Sequence, residues 1–428
     1  MDDYRPRVFE PLLKEKLEAM GVVVIEGPKY CGKTTLARQF AGSVLFMADP
    51  ETKEQNLTLA KTNVSRLLQG ETPRLLDEWQ LSPSLWDAVR NEVDRRNEDG
   101  QFILTGSAVP PDTANIFHTG TGRMSWIKLR TMSLWESGES SGDVSLGDLF
   151  KAGGTAGVDG ESHIDLEQLA FLVCRGGWPR ATLKRSPKAA LVQAREYYEA
   201  VTRFDISRVD EVNRDPEIAM RLMRSYARNQ GSQAGVGTIL ADMKANEGEA
   251  VNENTVYAYI KALKKIFVIE DALAWNPNLR SKTAIRTSDT RYFTDPSIAT
   301  AALGLTPEDL LNDLNTFGLL FETLCVRDLR VYIESMGGKL YHYRDKNNLE
   351  CDAVVRLNNG RYGLVEVKLG GDEAIEAAAR TLLALANKID TDKMKEPAFM
   401  MVLTGIGQYA YRRPQDGVLV VPVGCLKE

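Results

Sequence analysis

Val22-Val23-Val24-Ile25-Glu26-Gly27-Pro28-Lys29-Tyr30-Cys31-Gly32-Lys33-Thr34-Thr35-Leu36-Ala37 is the stretch on which the fold of this 428-residue chain turns. Its first four residues are an uninterrupted apolar run rich in β-branched side chains, which suits a strand buried on both faces of a parallel sheet. A loop bounded by Gly27 and Gly32 follows, then Lys33-Thr34 and a segment of helical character over 35–40. Strand, glycine-bounded loop, Gly-Lys-Thr and helix in that order describe a phosphate-binding P-loop. A chance glycine turn would share the spacing but not the flanking strand and helix. In the P-loop reading Gly27, Pro28, Gly32 and Thr35 line the phosphates of ATP. Lys33 reaches the β and γ oxygens, and the Thr34 hydroxyl ligates magnesium.

Leu75-Leu76-Asp77-Glu78, about forty residues on, is an apolar run ending in two acids. Asp77 is expected to hold the magnesium through its water shell and Glu78 to polarise the attacking water, the pattern of a Walker B strand. A third apolar run, Phe102-Ile103-Leu104, ends in Thr105-Gly106-Ser107, and Thr105 is expected as the polar sensor beside the γ-phosphate. The three strand ends then share one edge, where open α/β sheets bind ligands. Arg123, in His118-Thr119-Gly120-Thr121-Gly122-Arg123, is read as an arginine donated to a neighbouring subunit's nucleotide, against the plainer reading of a surface arginine.

The apolar and charged fractions, 43% and 26%, are those of an ordinary globular protein, and the length calls for two or three domains. No apolar run reaches the roughly 18 residues of a bilayer span, and the N-terminus has no signal-peptide pattern, so a cytoplasmic protein is expected. The five cysteines are scattered without a Cys-x-x-Cys pair, which argues against structural zinc. Net charge is −6, yet residues 171–300 carry 20 Lys and Arg against 15 Asp and Glu. That mildly basic middle could meet phosphates or be a solvated helical surface.

Within it, 189–204 and 217–229 read as helices, as do 236–243 and Glu253–Lys265, the last begun by Asn252 as its cap. Alternating residues near 268–275 and 291–294 would add a β-wing carrying Arg280, Lys282 and Arg286. A winged helix touching DNA is one expectation, and a module that only packs domains together is the other. Ser, Gly and Asp crowd 137–160, which reads as a linker.

In the last third, 349–357 and Tyr362–Lys368 are strand-like runs joined by Asn358-Asn359-Gly360, a three-residue hairpin loop. That register sets Asp352 opposite Glu366, with Cβ atoms about 5 Å apart, and Lys368 on the same face. Opposed carboxylates need compensation, and a divalent cation would supply it. The alternative is pairing with Lys368 and Arg344. Asp followed by Glu-x-Lys on the adjacent strand is similar to the PD-(D/E)XK nuclease signature. By that resemblance Asp352 and Glu366 hold magnesium, Lys368 positions the attacking water, and Glu322 on the preceding helix completes the site.

Taken together, the P-loop, Leu-Leu-Asp-Glu-Trp-Gln at 75–80, Leu-Thr-Gly-Ser at 104–107, Gly-Arg at 122–123, Met-Ser-Leu-Trp-Glu at 132–136, Gly-Gly-Trp-Pro at 176–179, Phe-Glu at 321–322 and Glu-Val-Lys at 366–368 resemble a family of prokaryotic AAA-type ATPases with a C-terminal domain of formerly unknown function. The likeness covers nearly the whole chain but lapses between about 138 and 165. It implies an α/β protein: an ATPase domain over 1–137, a linker over 138–164, a helical and winged-helix region over 165–304 and a restriction-endonuclease-like domain over 305–428. It also implies homo-oligomers, with a hexameric ring as one form. The resulting expectation is an ATPase using ATP and Mg2+, coupled to DNA binding and cleavage, with no membrane partner. The rival is an ATP-regulated binding protein whose C-terminal domain is an inactive nuclease fold, and a protein chaperone is a third class.

Overall fold

The computed structural model describes residues 4–107, 121–152, 158–210, 212–247, 251–280 and 284–428. Five strands form the first sheet: β1 (Val22–Glu26), β2 (Ser43–Phe46), β3 (Arg74–Asp77), β4 (Phe102–Gly106) and β5 (Met124–Lys128), in the order β2-β3-β4-β1-β5. All four pairings are parallel. Covering both faces explains the unbroken apolar runs. Val23, Ile25, Leu75 and Ile103 pack into one core, and Val22, Val24, Leu76 and Leu104 into a second.

A second sheet of eight strands has the order β7-β13-β14-β12-β11-β10-β9-β8. Its centre is C-terminal: β9 (Lys339–Arg344), β10 (Glu350–Arg356), β11 (Tyr362–Lys368), β12 (Phe399–Thr404), β13 (Tyr409–Arg412) and β14 (Leu419–Pro422). Its two edges come from elsewhere in the chain, β7 (Gly160–Glu161) on β13 and β8 (Leu273–Ala274) on β9. A two-stranded ribbon joins β6 (Val144–Ser145) to β15 (Leu426–Lys427).

The stretch expected to be a linker, 138–164, is therefore built into the C-terminal unit over its described residues. Ser141 N donates to Gly424 O at 2.7 Å, Ser140 Oγ to Leu426 O at 2.8 Å, and Phe150 meets Phe399 edge-on at 5.2 Å. Its polar composition reflects side chains bonding to a neighbouring backbone rather than a solvated tether.

Between β7 and β8 along the chain come helices Leu166–Arg175, Pro187–Ala200, Pro216–Arg228, Val236–Glu247 and Glu253–Lys265. Asn252 caps the last, its side chain accepting from Thr255 N at 2.8 Å. The helix Leu314–Ser335 then runs buried beneath the second sheet. One hydrophobic core continues from Phe9 through Tyr226 to Leu426, so the three parts share an interior. No helix among the described residues is long and apolar enough to cross a membrane.

Candidate functional site

At the carboxyl edge of the first sheet Asp77 and Thr105 stand in register on neighbouring strands. Thr34, in the first turn of the helix Lys33–Arg38, donates its hydroxyl to Asp77 Oδ1 at 2.6 Å, and Thr105 donates to the same oxygen at 2.6 Å. Lys33 is 5% exposed, its Nζ donating to the carbonyls of Gly27 at 2.9 Å and Pro28 at 2.8 Å. Arg7 steadies the loop from behind, donating to Cys31 O at 2.9 Å while pairing with Glu136 at 2.8 Å. Thr35 and Gly32 form part of the wall of an adjoining recess of about 170 Å³, which also includes Arg180.

Glu78 has φ 57°, in the left-handed region, which breaks the strand's alternation and re-aims its side chain. A non-glycine residue held there costs on the order of 1 kcal/mol. Ser107 donates to Glu78 Oε2 at 3.0 Å, and Gln80 Nε2 donates to the same oxygen. The polar turn thus serves both acids. Thr105, expected at the γ-phosphate, has its hydroxyl committed to Asp77 because the parallel register sets the two side by side. Ser107 reaches Glu78 instead. The sequence reading passed over Ser107 and Gln80, although the triplet 105–107 signalled the first.

Arg123 precedes β5 at the opposite end of the sheet, where its carbonyl accepts from Val22 N at 3.0 Å. Its guanidinium meets Asp94 at 2.7 Å with both side chains well exposed. It takes no part in the P-loop site of its own chain. His118 and Gly120, read beside it, lie outside the described residues.

In the C-terminal sheet, Leu357 N donates to Arg361 O at 2.8 Å across the loop, with Gly360 at φ 83°. The paired ladder runs from Arg356 against Tyr362 to Ala353 against Val365, one residue short of Asp352 and Glu366. Asp352 Oδ2 accepts from Val367 N at 2.8 Å. Lys368 lies between the carboxylates, with Nζ 2.9 Å from Glu366 Oε2 and 3.4 Å from Asp352 Oδ2. Arg344 turns to Glu350 at 3.3 Å. Glu366 is 3% exposed, and among the described residues its Oε1 has no hydrogen-bond partner; Thr404 Oγ1 on the adjacent strand is likewise buried and unpartnered. Burial first, and the charge of Asp352 second, push the Glu366 carboxyl well above its usual range. The same two causes raise Glu322 to about 8. Burial opposes the Lys368 charge, but Asp352 and Glu366 outweigh it and hold the ammonium above its ordinary value.

Glu322 borders the same recess as Asp352, yet its carboxylate accepts the Tyr292 hydroxyl. With Lys368 seated between the other two, no three acidic, histidine or cysteine side chains among the described residues stand ready as a metal set.

Three family matches divide the chain. Residues 20–137 match an AAA domain, 166–309 a domain of unknown function (DUF8612), and 317–426 another domain of unknown function (DUF4143). The first unit is a P-loop ATPase-like domain. Uncharacterized proteins of Mycobacterium bovis and Mycobacterium tuberculosis are each 24% identical over 377 residues, covering 87% of this chain and 75% of the relative. A Walker-type ATPase of Pyrococcus abyssi is 16% identical with a TM-score of 0.42, covering 70% of this chain and 99% of that one.

The basic hairpin of the middle region differs from expectation in its surroundings. Ile269 bridges Phe293 and Ala272 bridges Thr290, so two antiparallel arms form. Arg280 N, however, donates to Lys388 O at 2.8 Å, and Arg286 Nη2 to Asn348 at 3.0 Å. Both arginines lie against the C-terminal unit, and Lys282 is outside the described residues.

Proposed function

We propose that this chain hydrolyses ATP with magnesium, and that its C-terminal carboxylate recess takes a divalent cation and acts on DNA phosphodiesters. The observation carrying the first part is the shared oxygen at the sheet edge, Asp77 Oδ1 bonded to the hydroxyls of Thr34 and Thr105. An all-oxygen donor set of this kind fits a hard cation, so Thr34 and Asp77 would hold magnesium. With the triphosphate bound, that ion would neutralise charge developing on the transferred phosphoryl group. Lys33 exchanges its two loop carbonyls for phosphate oxygens, which form stronger charge-assisted bonds. Glu78, aimed by Ser107 and Gln80, orients the attacking water and draws its proton. Phosphate release in the presence of magnesium tests this reading. Lys33→Ala should abolish turnover while melting at the wild-type temperature; undiminished turnover refutes the site.

The second part is carried by the buried, unpartnered Glu366 Oε1, with the Asp352 carboxylate nearby and Lys368 between them. A buried polar oxygen left without a hydrogen bond costs on the order of 1–3 kcal/mol, and a cation would recover part of it. Asp352 and Glu366 would hold the ion, Glu322 would join them, and Lys368 would position water. A plasmid-cleavage assay with ATP and magnesium compares wild type with Asp352→Ala and Glu366→Ala. Cleavage lost in both variants supports the reading, and an uncut plasmid with wild type favours an ATP-regulated binding protein. Further copies of the chain are proposed as partners, with Arg123 serving a neighbour's nucleotide.

A further inference from the structure

The recess holding Asp352 and Glu322 is walled on one side by a part of the chain that belongs to neither the ATPase sheet nor the C-terminal strands. Gly231, Gln233, Thr290 and Tyr292 of the middle region form that wall. Tyr292, 1% exposed, donates its hydroxyl to Glu322 Oε1, and Gln233 Nε2 lies 3.3 Å from His342 Nδ1. The approach is close enough that a Cβ at residue 231, where φ is +66°, would come within 3.0 Å of Glu322 Oε1.

The lid is braced as well as seated. Gly231 N donates to Arg291 O at 3.0 Å and Arg291 N to Ser232 O at 2.8 Å, tying its two segments together. Glu270 N donates to Tyr292 O at 3.0 Å, and the Glu270 carboxylate is gripped at 2.6–2.7 Å by Arg130, just beyond β5 of the ATPase sheet. Arg130 is 1% exposed and also holds Glu334 on the helix that carries Glu322. One buried guanidinium therefore registers the ATPase sheet against both the lid and the helix beneath it.

We propose that the middle region is an autoinhibitory lid on the C-terminal carboxylate site, latched by Tyr292 on Glu322 and positioned by Arg130 through Glu270. The latch rests on the cation reading of that recess. The Tyr292 hydroxyl occupies a carboxylate oxygen that a cation would use, and Gly231 and Gln233 stand against the same recess. Opening requires 290–293 to move away from Asp352, and Glu270 links that movement to the ATPase sheet.

The test is Mn2+ binding to the full-length, nucleotide-free protein by isothermal titration calorimetry, with Asp352→Asn as the reference in each background. Tyr292→Phe keeps the ring and removes the hydroxyl, so Mn2+ should bind about fivefold tighter, the worth of one neutral hydrogen bond. Gln233→Ala, which spares the core, should act in the same direction by about threefold. Equal Asp352-dependent affinity in wild type and both variants overturns the latch and leaves the cation site standing. Absence of Asp352-dependent binding in all three overturns the cation reading and the latch with it. Glu270→Gln should speed amide exchange at 291–293, and unchanged protection there overturns the link to the ATPase sheet.

Discussion

Asp77 can be tested through the two hydroxyls that share its Oδ1. Each O–H···O contact is 2.6 Å, in the short range of charge-assisted bonds, and each such bond contributes about 1.5–3 kcal/mol. Asp77 is only partly buried, so on substitution water recovers part of what is lost. Asp77→Ala should therefore destabilise the ATPase unit by about 2–3 kcal/mol, with Thr34→Ala and Thr105→Ala each near 1.5 kcal/mol. A double-mutant cycle between Thr34 and Asp77 should return a coupling of about 1 kcal/mol or more, read from denaturant melts without nucleotide. Adding magnesium and ATP enlarges the expected effect, because in the proposed reading the same acid would then serve the metal. Loss of about 3 kcal/mol of transition-state stabilisation is roughly a hundredfold in phosphate release. A cycle that closes with no coupling, or an Asp77→Ala protein turning over ATP at the wild-type rate, would refute the reasoning.

Gly177→Ala should be among the most damaging single changes in the middle region, since the new Cβ would sit 2.0 Å from the Met132 carbonyl oxygen. A cost of about 3 kcal/mol is expected, and an unshifted melting temperature would contradict that packing. In the folded protein Glu322 keeps its proton up to about 8, so a cation entering the recess must displace it. Mn2+ affinity should then rise by about tenfold per pH unit from the ordinary carboxylate range to about 8 and level off above. Without a cation the sign reverses for stability: the fold binds the extra proton, so stability is lost as pH rises through 8, and Glu322→Gln should flatten both slopes. Arg123→Ala breaks an exposed ion pair and a long contact to the Thr121 carbonyl, and should cost under about 1 kcal/mol. If Arg123 serves a neighbour, the variant's deficit in turnover should grow with protein concentration; a deficit independent of concentration excludes that role.

The parts legible in the sequence were those encoded by neighbours along the chain. Strand, loop, Lys33-Thr34 and helix are contiguous, and the hairpin closed by Leu357 and Arg361 follows from a three-residue loop. Parts that depend on distant partners were not legible. Gly160 pairs with Ala410 and Val144 with Leu426, and strands of two residues carry no periodicity to reveal them. Ser107 escaped because the left-handed turn at Glu78 redirects a side chain that strand alternation would send elsewhere. Tyr292 looked like one more wing residue. Its contact with Glu322 exists only once the hairpin and the helix Leu314–Ser335 have packed.

The borrowed edges of the eight-stranded sheet bear on how the chain is made. During synthesis β7 and β8 emerge long before the strands they flank, and must remain unpaired until β9 and β13 have left the ribosome. Such long-range closure is slow, because the entropy of joining distant segments is lost before any pairing is gained. Expressing 305–428 alone would strip both flanks and leave β9 and β13 with bare backbone donors and acceptors, an invitation to edge-to-edge aggregation. The last strands to be synthesised thus complete a sheet whose borders were laid down first.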